Sequence, residues 1–155
     1  MVMQTHTEYY QDGVQTVSTT TGDYLCDSDG MWAVALYTEY SEEANGSVNE
    51  GWSRVTYTNP ALVLPYDLED GTAWSTVAEG TAEYSSGVTS DINLLTESVV
   101  EGSESVSVPA GNYDALRVQS VYYTGATETT STTSWLYPSV GTVKDAVSEL
   151  VRHDP

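Results

Sequence analysis

Carboxylates, two histidines and one cysteine are the side chains of this sequence that could do chemistry. His6 and His153 stand near opposite ends of the chain, so a catalytic pair would need the fold to bring them together. No G-x-S-x-G nucleophile motif occurs among the many serines. We expect two exposed terminal histidines, and we predict no catalytic residue, no cofactor and no metal site. Cys26 is the only cysteine, which excludes an intrachain disulfide, and we expect a buried thiol.

Two groups of acidic residues have the spacing from which a paired-acid site could be built. A glycoside hydrolase needs two carboxyl groups about 5–10 Å apart. The chain carries 23 Asp and Glu residues, however, so such groups arise by chance and we expect a solvated surface. The groups are Glu39, Glu42 and Glu43, and Glu97, Glu101 and Glu104.

Asp23, Asp27 and Asp29 are the best calcium candidates, because Ca²⁺ prefers oxygen ligands from a loop. Their spacing is not that of an EF-hand, and Asp27–Gly30 is equally a good turn. We therefore expect a turn there. Asn45–Ser47 matches a glycosylation sequon and is also expected to form a turn.

The sequence is strongly acidic, with a net charge of −19. Nucleic acids and anionic lipids need clustered basic side chains, and the four basic residues here are scattered, so we predict neither partner. Salt would screen the repulsion between the acidic groups. The composition therefore favours a saline, extracytoplasmic setting, such as the periplasm, the outer surface or the medium. The basic residues are Arg54, Arg117, Lys144 and Arg152.

No run of about 18 apolar residues occurs, so we predict no transmembrane segment. No signal peptide is recognisable at the start, and we expect the mature region of an exported protein.

Phenylalanine is absent while tyrosine occurs 12 times, which suits half-exposed sheet faces. The tryptophans could stack on sugars or line an apolar pocket, but we expect core filling. They are Trp32, Trp52, Trp74 and Trp135.

Alternation of apolar and polar residues dominates the chain and predicts β-strands separated by turns. Breaks are predicted at Gly22-Asp23, at a polar loop over 41–51, at Asn59-Pro60 and at a polar stretch over 126–133. Residues 61–66 contain Pro65 and are predicted as an extended or edge segment rather than a central strand. The predicted strands are 2–10, 14–20, 24–26, 31–40, 52–58, 72–79, 81–85, 104–108, 113–124, 134–138 and 141–146.

Two segments, 88–100 and 144–151, have apolar spacing that fits a helix as well as a strand. The alternation elsewhere, without a strand–helix rhythm, predicts an all-β fold in a single domain over 1–155. We expect an antiparallel curved sheet, or a partly open β-barrel or sandwich, of about ten strands.

Three segments together resemble a family of uncharacterised bacterial exported proteins, often lipoproteins, with a curved antiparallel sheet. Pro60–Pro65 followed by Asp70–Trp74 is similar to an apolar, proline-bounded run before a G-x-x-W strand start. Val106–Val118 resembles a V-x-V-P-A-G-x-F-x-A-x-x-V hairpin, with Tyr113 in place of phenylalanine. Trp135–Lys144 resembles a W-F/Y-x-P-G-V-G-x-V-K segment, with serine replacing one glycine. The resemblance implies a fold and an exported location but no chemistry.

The hairpin motif also has a physical interpretation. Gly111 supplies a positive φ for the chain reversal after Pro109. Period-two alternation places Tyr113 on one face with Ala115 and Arg117. Gly141 is expected to allow a bulge or a close backbone approach.

These features favour a non-enzymatic exported or cell-envelope domain that binds an apolar or envelope-derived ligand or another envelope protein. The alternative is a structural or assembly subunit of a surface layer or filament, joined by strand addition. An enzyme acting on polysaccharide is a third, weaker hypothesis. The sequence does not determine the oligomeric state.

The acidic composition predicts that stability rises with salt. We expect the thermal unfolding midpoint to increase steadily between low salt and about 1 M NaCl, where the Debye length falls to about 3 Å. Circular dichroism melts at matched pH measure this. A midpoint that does not respond to NaCl would contradict a saline habitat.

Overall fold

The computed structural model describes residues 1–11, 14–124, 127–137 and 141–145. These residues form nine β-strands and contain no helix. The strands are β1 (Val2–Gln11), β2 (Val14–Cys26), β3 (Gly30–Ala44), β4 (Ser47–Pro65), β5 (Ala73–Tyr84), β6 (Thr89–Val108), β7 (Gly111–Thr124), β8 (Thr127–Tyr137) and β9 (Gly141–Lys144).

The nine strands belong to one sheet in which the order in space is the order in the chain, from β1 to β9. The pairings for which a register is defined are all antiparallel. The prediction of an all-β, antiparallel fold is therefore confirmed. Contacts divide the chain into two compact units, and the prediction of one domain over 1–155 stays a prediction. Unit 1 is Met1–Tyr66 with Val77–Asn93, and unit 2 is Asp67–Thr76 with Leu94–Pro155.

The polar loop predicted over 41–51 is wrong. Strand β3 runs on to Ala44, which pairs with Ser47 at the start of β4. Asn45 (φ 52°) and Gly46 (φ 77°) alone make the turn. Two successive positive φ values define the type I′ hairpin turn, for which Asn-Gly is the preferred sequence. The turn expected at Asn45–Ser47 is confirmed, and the polar residues around it lie in strands.

Several predicted short strands merge because glycines interpreted as turns lie inside strands. At Gly22 the ring of Tyr24 occupies the space of the missing side chain, and β2 continues with a bulge between Asp23 and Tyr24. At Gly80 the backbone of Thr56 lies where a Cβ would stand. Glycine marks a close approach at both positions, so Gly22 and Gly80 lie inside strands β2 and β5 rather than between separate short strands.

Asn59-Pro60 interrupts pairing without ending the strand. On β4, Thr56 pairs with Ala35 and Ala61 pairs with Ala33, so the register between β3 and β4 shifts across this dipeptide. A proline is tolerated where the ladder is interrupted, because its missing N–H removes no regular hydrogen bond there. The strand then runs on to Pro65, so the predicted break is a bulge.

The segments left open between helix and strand are now assigned in part. Residues 89–100 belong to strand β6. Their β-branched and threonine content favours a strand over the helix that the apolar spacing also fits. The polar stretch predicted over 126–133 is strand β8 from Thr127 onward. Of 144–151, Lys144 ends β9 and Asp145 follows it, while 146–151 lie outside the described residues.

The hairpin predicted from Val106–Val118 is confirmed. Val108 pairs with Gly111, which has φ 143°, and Pro109-Ala110 form the turn. Tyr113 packs with Ala115 in one apolar cluster, as the alternation predicts. The bulge or close approach expected at Gly141 is wrong. Gly141 (φ 95°) pairs with Tyr137 and has no described atom within 4 Å of the place of a Cβ, while the β8–β9 register shift falls at Val143.

The buried apolar residues are small. Those of unit 1 are all alanines, and the largest fully buried side chains of the described chain are Val100 and Val143. Tyrosine and tryptophan cover this thin core from outside; in unit 2, Tyr113, Trp135 and Tyr137 pack against it. The full set is Ala33, Ala61, Ala78, Ala82, Val100, Val106, Ala115, Val118 and Val143.

Val100 should therefore be one of the more sensitive core positions. It is 1% exposed and faces Val118 across β6 and β7. We expect Val100→Ala to lower the free energy of unfolding by about 2 kcal/mol, from lost apolar burial plus a cavity. Val77→Ala, at a position 59% exposed, should change it by less than about 0.5 kcal/mol. Urea titrations measure both; equal effects would contradict this description of the core.

Candidate functional site

The histidines and the cysteine do not form a site within the described chain. His6 lies exposed on β1, where Nδ1 is 3.1 Å from the Thr19 hydroxyl, and His153 lies outside the described residues. The expectation of a buried thiol is wrong, because Cys26 is exposed. It is the last residue of β2, beside the Asp27–Asp29 loop, where the sheet ends and cannot cover it.

Asp27 organises the loop between β2 and β3. One carboxylate oxygen, Oδ1, accepts hydrogen bonds from the backbone N–H of Asp29 (2.9 Å) and Gly30 (3.1 Å) and from the indole N–H of Trp32 (3.0 Å). These donors, with the Trp32 indole first, hold the pKa of Asp27 below its ordinary value. The carboxylate is committed to shaping the turn that the sequence predicted.

The calcium candidates are not assembled into a metal site. Asp23 lies within β2 and pairs with Ala35, while Asp27 and Asp29 lie in the loop beyond the strand. Among residues 1–11, 14–124, 127–137 and 141–145, no three His, Cys, Asp or Glu side chains are grouped so that they could hold a metal ion. The loop has the character of a hydrogen-bonded turn.

The acidic group on β6 has structural partners. The Glu101 carboxylate lies 3.4 Å from the Arg117 guanidinium across the β6–β7 bulge. Glu104 accepts a hydrogen bond of 3.0 Å from the indole N–H of Trp135. Glu97 stands opposite Val121. Glu101 therefore joins β6 to the neighbouring strand β7, and Glu104 joins β6 to β8, which lies beyond β7 in the sheet.

The acidic group on β3 is split between the two faces of the sheet. Alternation puts Glu39 and Glu43 on one face and Glu42 on the other, where Asn49 donates a hydrogen bond of 3.4 Å to it. Glu39 and Glu50 line a depression of about 350 Å³ across β2, β3 and β4. Its lining is polar and apolar in about equal parts, whereas a typical ligand pocket is mostly apolar. The other lining residues are Val17, Thr19, Tyr40, Ser41 and Gly51.

An aromatic pair lies beside this depression. The rings of Tyr37 and Trp52 are 6.1 Å apart at their centroids, and the Arg54 guanidinium lies 5.8 Å above Tyr37. The Tyr37 hydroxyl donates to Glu39 at 3.3 Å. Desolvation and the nearby Glu39 carboxylate raise the pKa of the Tyr37 phenol, against a smaller opposite effect of Arg54. The group keeps Tyr37 neutral and ties β3 to β4.

The expectation that the tryptophans fill the core is wrong. Trp32, Trp52, Trp74 and Trp135 are all half-buried, and the buried positions are held by alanine and valine. Trp135, for example, packs against the buried cluster of Val106, Ala115 and Val143 from outside it.

The apolar end of unit 1 is the surface that sequence reasoning missed. Three adjacent rungs across β2, β3 and β4 carry apolar or weakly polar residues. Successive rungs point to opposite faces of the sheet, so the middle rung has a face of its own, on which Leu25 is 55% exposed, while Ala33 and Ala61 of the first rung are buried. Tyr66, 76% exposed, follows β4 at the same end. The segments 31–40 and 61–66 looked apolar in the sequence, but only the register brings them together with 24–26. The rungs are Tyr24–Ala33–Ala61, Leu25–Trp32–Leu62 and Cys26–Met31–Leu64.

Comparisons with known proteins add no relative. No family model, curated protein or solved structure matches the chain. The resemblance to exported bacterial proteins therefore stays a prediction. Among the described residues, no helix has the length and apolarity needed to cross a membrane.

The Asp27 turn predicts a pH-dependent contribution to stability. Because the folded-state pKa is lowered, the contribution is complete above the unfolded pKa of about 3.9 and disappears as pH falls through the folded value. We expect Asp27→Ala to lower the melting temperature at pH 7, and this difference from the unmutated protein to shrink below about pH 4. Asp29→Ala is the matched control. A difference that is constant with pH would contradict the assignment.

Proposed function

We propose that the chain is a non-enzymatic, exported domain that binds an apolar or envelope-derived ligand on the apolar end of unit 1. The observation that carries this proposal is the apolar rung formed by Leu25, Trp32 and Leu62, which share one face of the sheet and of which Leu25 is 55% exposed. Exposed apolar patches on acidic, water-facing domains mark contacts with partners or ligands. Exposed neighbours at the same end are Met1, Val2, Val63 and Tyr66.

The charge of the protein narrows the ligand class. A net charge of −19 disfavours anionic lipids and anionic amphiphiles. At the apolar end, the Asp27 carboxylate beside Trp32 accepts hydrogen bonds from three donors. The ligand that fits this surface is neutral or cationic, with an aliphatic or aromatic part that covers Leu25 and Trp32.

The acidic groups support the non-enzymatic part of the proposal. Glu101 and Glu104 have cation and indole partners, and Glu42 and Glu39 accept from Asn49 and Tyr37. A paired-acid hydrolase instead needs two carboxyl groups poised on either side of a substrate cleft. The depression beside Glu39 and Glu50 does not include Leu25, Trp32 or Leu62 in its lining.

The neutral fluorophore N-phenyl-1-naphthylamine tests the proposal, because the protein charge does not repel it. We expect it to bind with enhanced emission, and Leu25→Ser to weaken binding about tenfold, as the loss of one large apolar contact implies. Val48→Ser is the matched control, because Val48 is 59% exposed at the opposite end of β4. Absence of binding, or equal losses in both variants, would overturn the proposal.

A further inference from the structure

Strand β1 presents a long backbone edge on the outside of unit 1. It pairs with β2 over all ten residues from Val2 to Gln11, and in the sheet order no described strand lies on its other side. Such an edge offers backbone N–H and C=O groups to another strand. Natural edges are commonly protected by lysine, proline or a bulge. The β1 sequence contains neither lysine nor proline, and its register with β2 is unbroken.

The charges on β1 suit a partner that is also β1. The strand carries one carboxylate, Glu8, and one titratable base, His6, in a chain with only two histidines. Both are exposed and, being two residues apart, lie on the same face of the sheet. Their neighbours on that face, from β2, are Thr19 beside His6 and Gln15 beside Glu8.

Symmetry limits how two β1 edges can pair. Antiparallel pairing of identical strands places a two-fold axis perpendicular to the sheet. Directly opposed side chains must point to the same face. The axis must therefore lie midway between the two copies of one residue. An axis level with the midpoint of two successive residues would place side chains that point to different faces opposite each other. Near the middle of β1 the choices are His6, Thr7 and Glu8.

Electrostatics selects among these three centres. An axis at Glu8 opposes two carboxylates, and an axis at His6 opposes two imidazoles. An axis at Thr7 places His6 of each copy opposite Glu8 of the other, so that the dimer contains two His6–Glu8 pairs. Opposite charges across a strand pair stabilise it and like charges destabilise it, and a neutral imidazole can still donate an N–H to the carboxylate.

We propose that two copies of this chain associate through antiparallel β1–β1 pairing centred on Thr7, with His6 of each copy opposite Glu8 of the other. This register pairs residues 3–11 of one copy with the same residues of its partner, which is nearly the whole strand. It goes beyond the ligand-binding proposal, because it uses the edge of β1 rather than the apolar end. High salt should favour it, since each copy carries a charge of −19.

Cysteine cross-linking tests the register. In the full chain with Cys26→Ser, Thr7→Cys places the two new thiols on the axis, where opposed Cα atoms are about 4.5–5.5 Å apart and can form a disulfide. The matched control is Thr5→Cys, on the same face of the same strand. Its two copies would be offset by four residues, about 13 Å, which is too far.

We expect Thr7→Cys to give a covalent dimer at least tenfold faster than Thr5→Cys at about 1 M NaCl under mild oxidation. Light scattering of the protein without introduced cysteines should show a dimer under the same conditions. Equal cross-linking at both positions, no cross-linking at position 7, a monomer at all salt concentrations, or open-ended polymers would each overturn the proposal.

Charge-reversal variants distinguish the proposed His6–Glu8 pairs from a general effect of salt on association. His6→Glu should raise the dimer dissociation constant about tenfold, because two carboxylates then face each other twice. Adding Glu8→Lys to His6→Glu should restore dimerisation. The control Glu83→Lys makes the same change on an exposed position of β5 and should not restore it. Equal rescue by both lysines would overturn the assigned register. Binding of N-phenyl-1-naphthylamine to the monomeric His6→Glu variant keeps the two proposals separately testable.

Discussion

Backbone hydrogen bonds between neighbouring antiparallel strands are the interaction on which this structure depends. The buried side chains are alanines and valines, so each unit removes little apolar surface from water through any one residue. The strands compensate by their length: β4 has 19 residues and β6 has 20. Where strands approach most closely, as at Gly80 beside Thr56, a side chain would separate the backbones. Long runs of backbone hydrogen bonds therefore accompany a core of small side chains.

The same register gives unit 1 two chemically different ends. One end of β2, β3 and β4 carries Leu25, Trp32 and Leu62 on a single rung. The other end carries polar and acidic residues around the Asn45-Gly46 turn. Between them, the Tyr37 hydroxyl donates to Glu39, and the Arg54 guanidinium lies over the Tyr37 ring. A strand that slipped by one residue would move every one of these side chains to the other face.

The fold class could be predicted from the alternation of residues, but strand continuity could not. Gly22 and Gly80 have the composition of turns, yet each lies where a ring or a backbone of a neighbour needs the space of a side chain. At Gly80 that requirement comes from another strand and leaves no local signal, whereas at Gly22 the ring belongs to Tyr24 of the same strand. In contrast, Asn45-Gly46 is a turn by its own conformational preference. The apolar end could not be predicted from the sequence for a related reason. Leu25 lies in a three-residue segment, and only the strand register places Trp32 and Leu62 beside it.

The sequential order of the strands has a consequence for how the chain acquires its structure. Each strand's neighbours in space are its neighbours in sequence, so every ladder can close through a short connection. Loop-closure entropy is small for such contacts, and folding is faster when contacts are local. A chain emerging from the ribosome could add one hairpin at a time without waiting for its C-terminal half. The same arrangement allows a gene to lengthen or shorten the sheet by whole hairpins, because an added pair of strands needs only one existing edge.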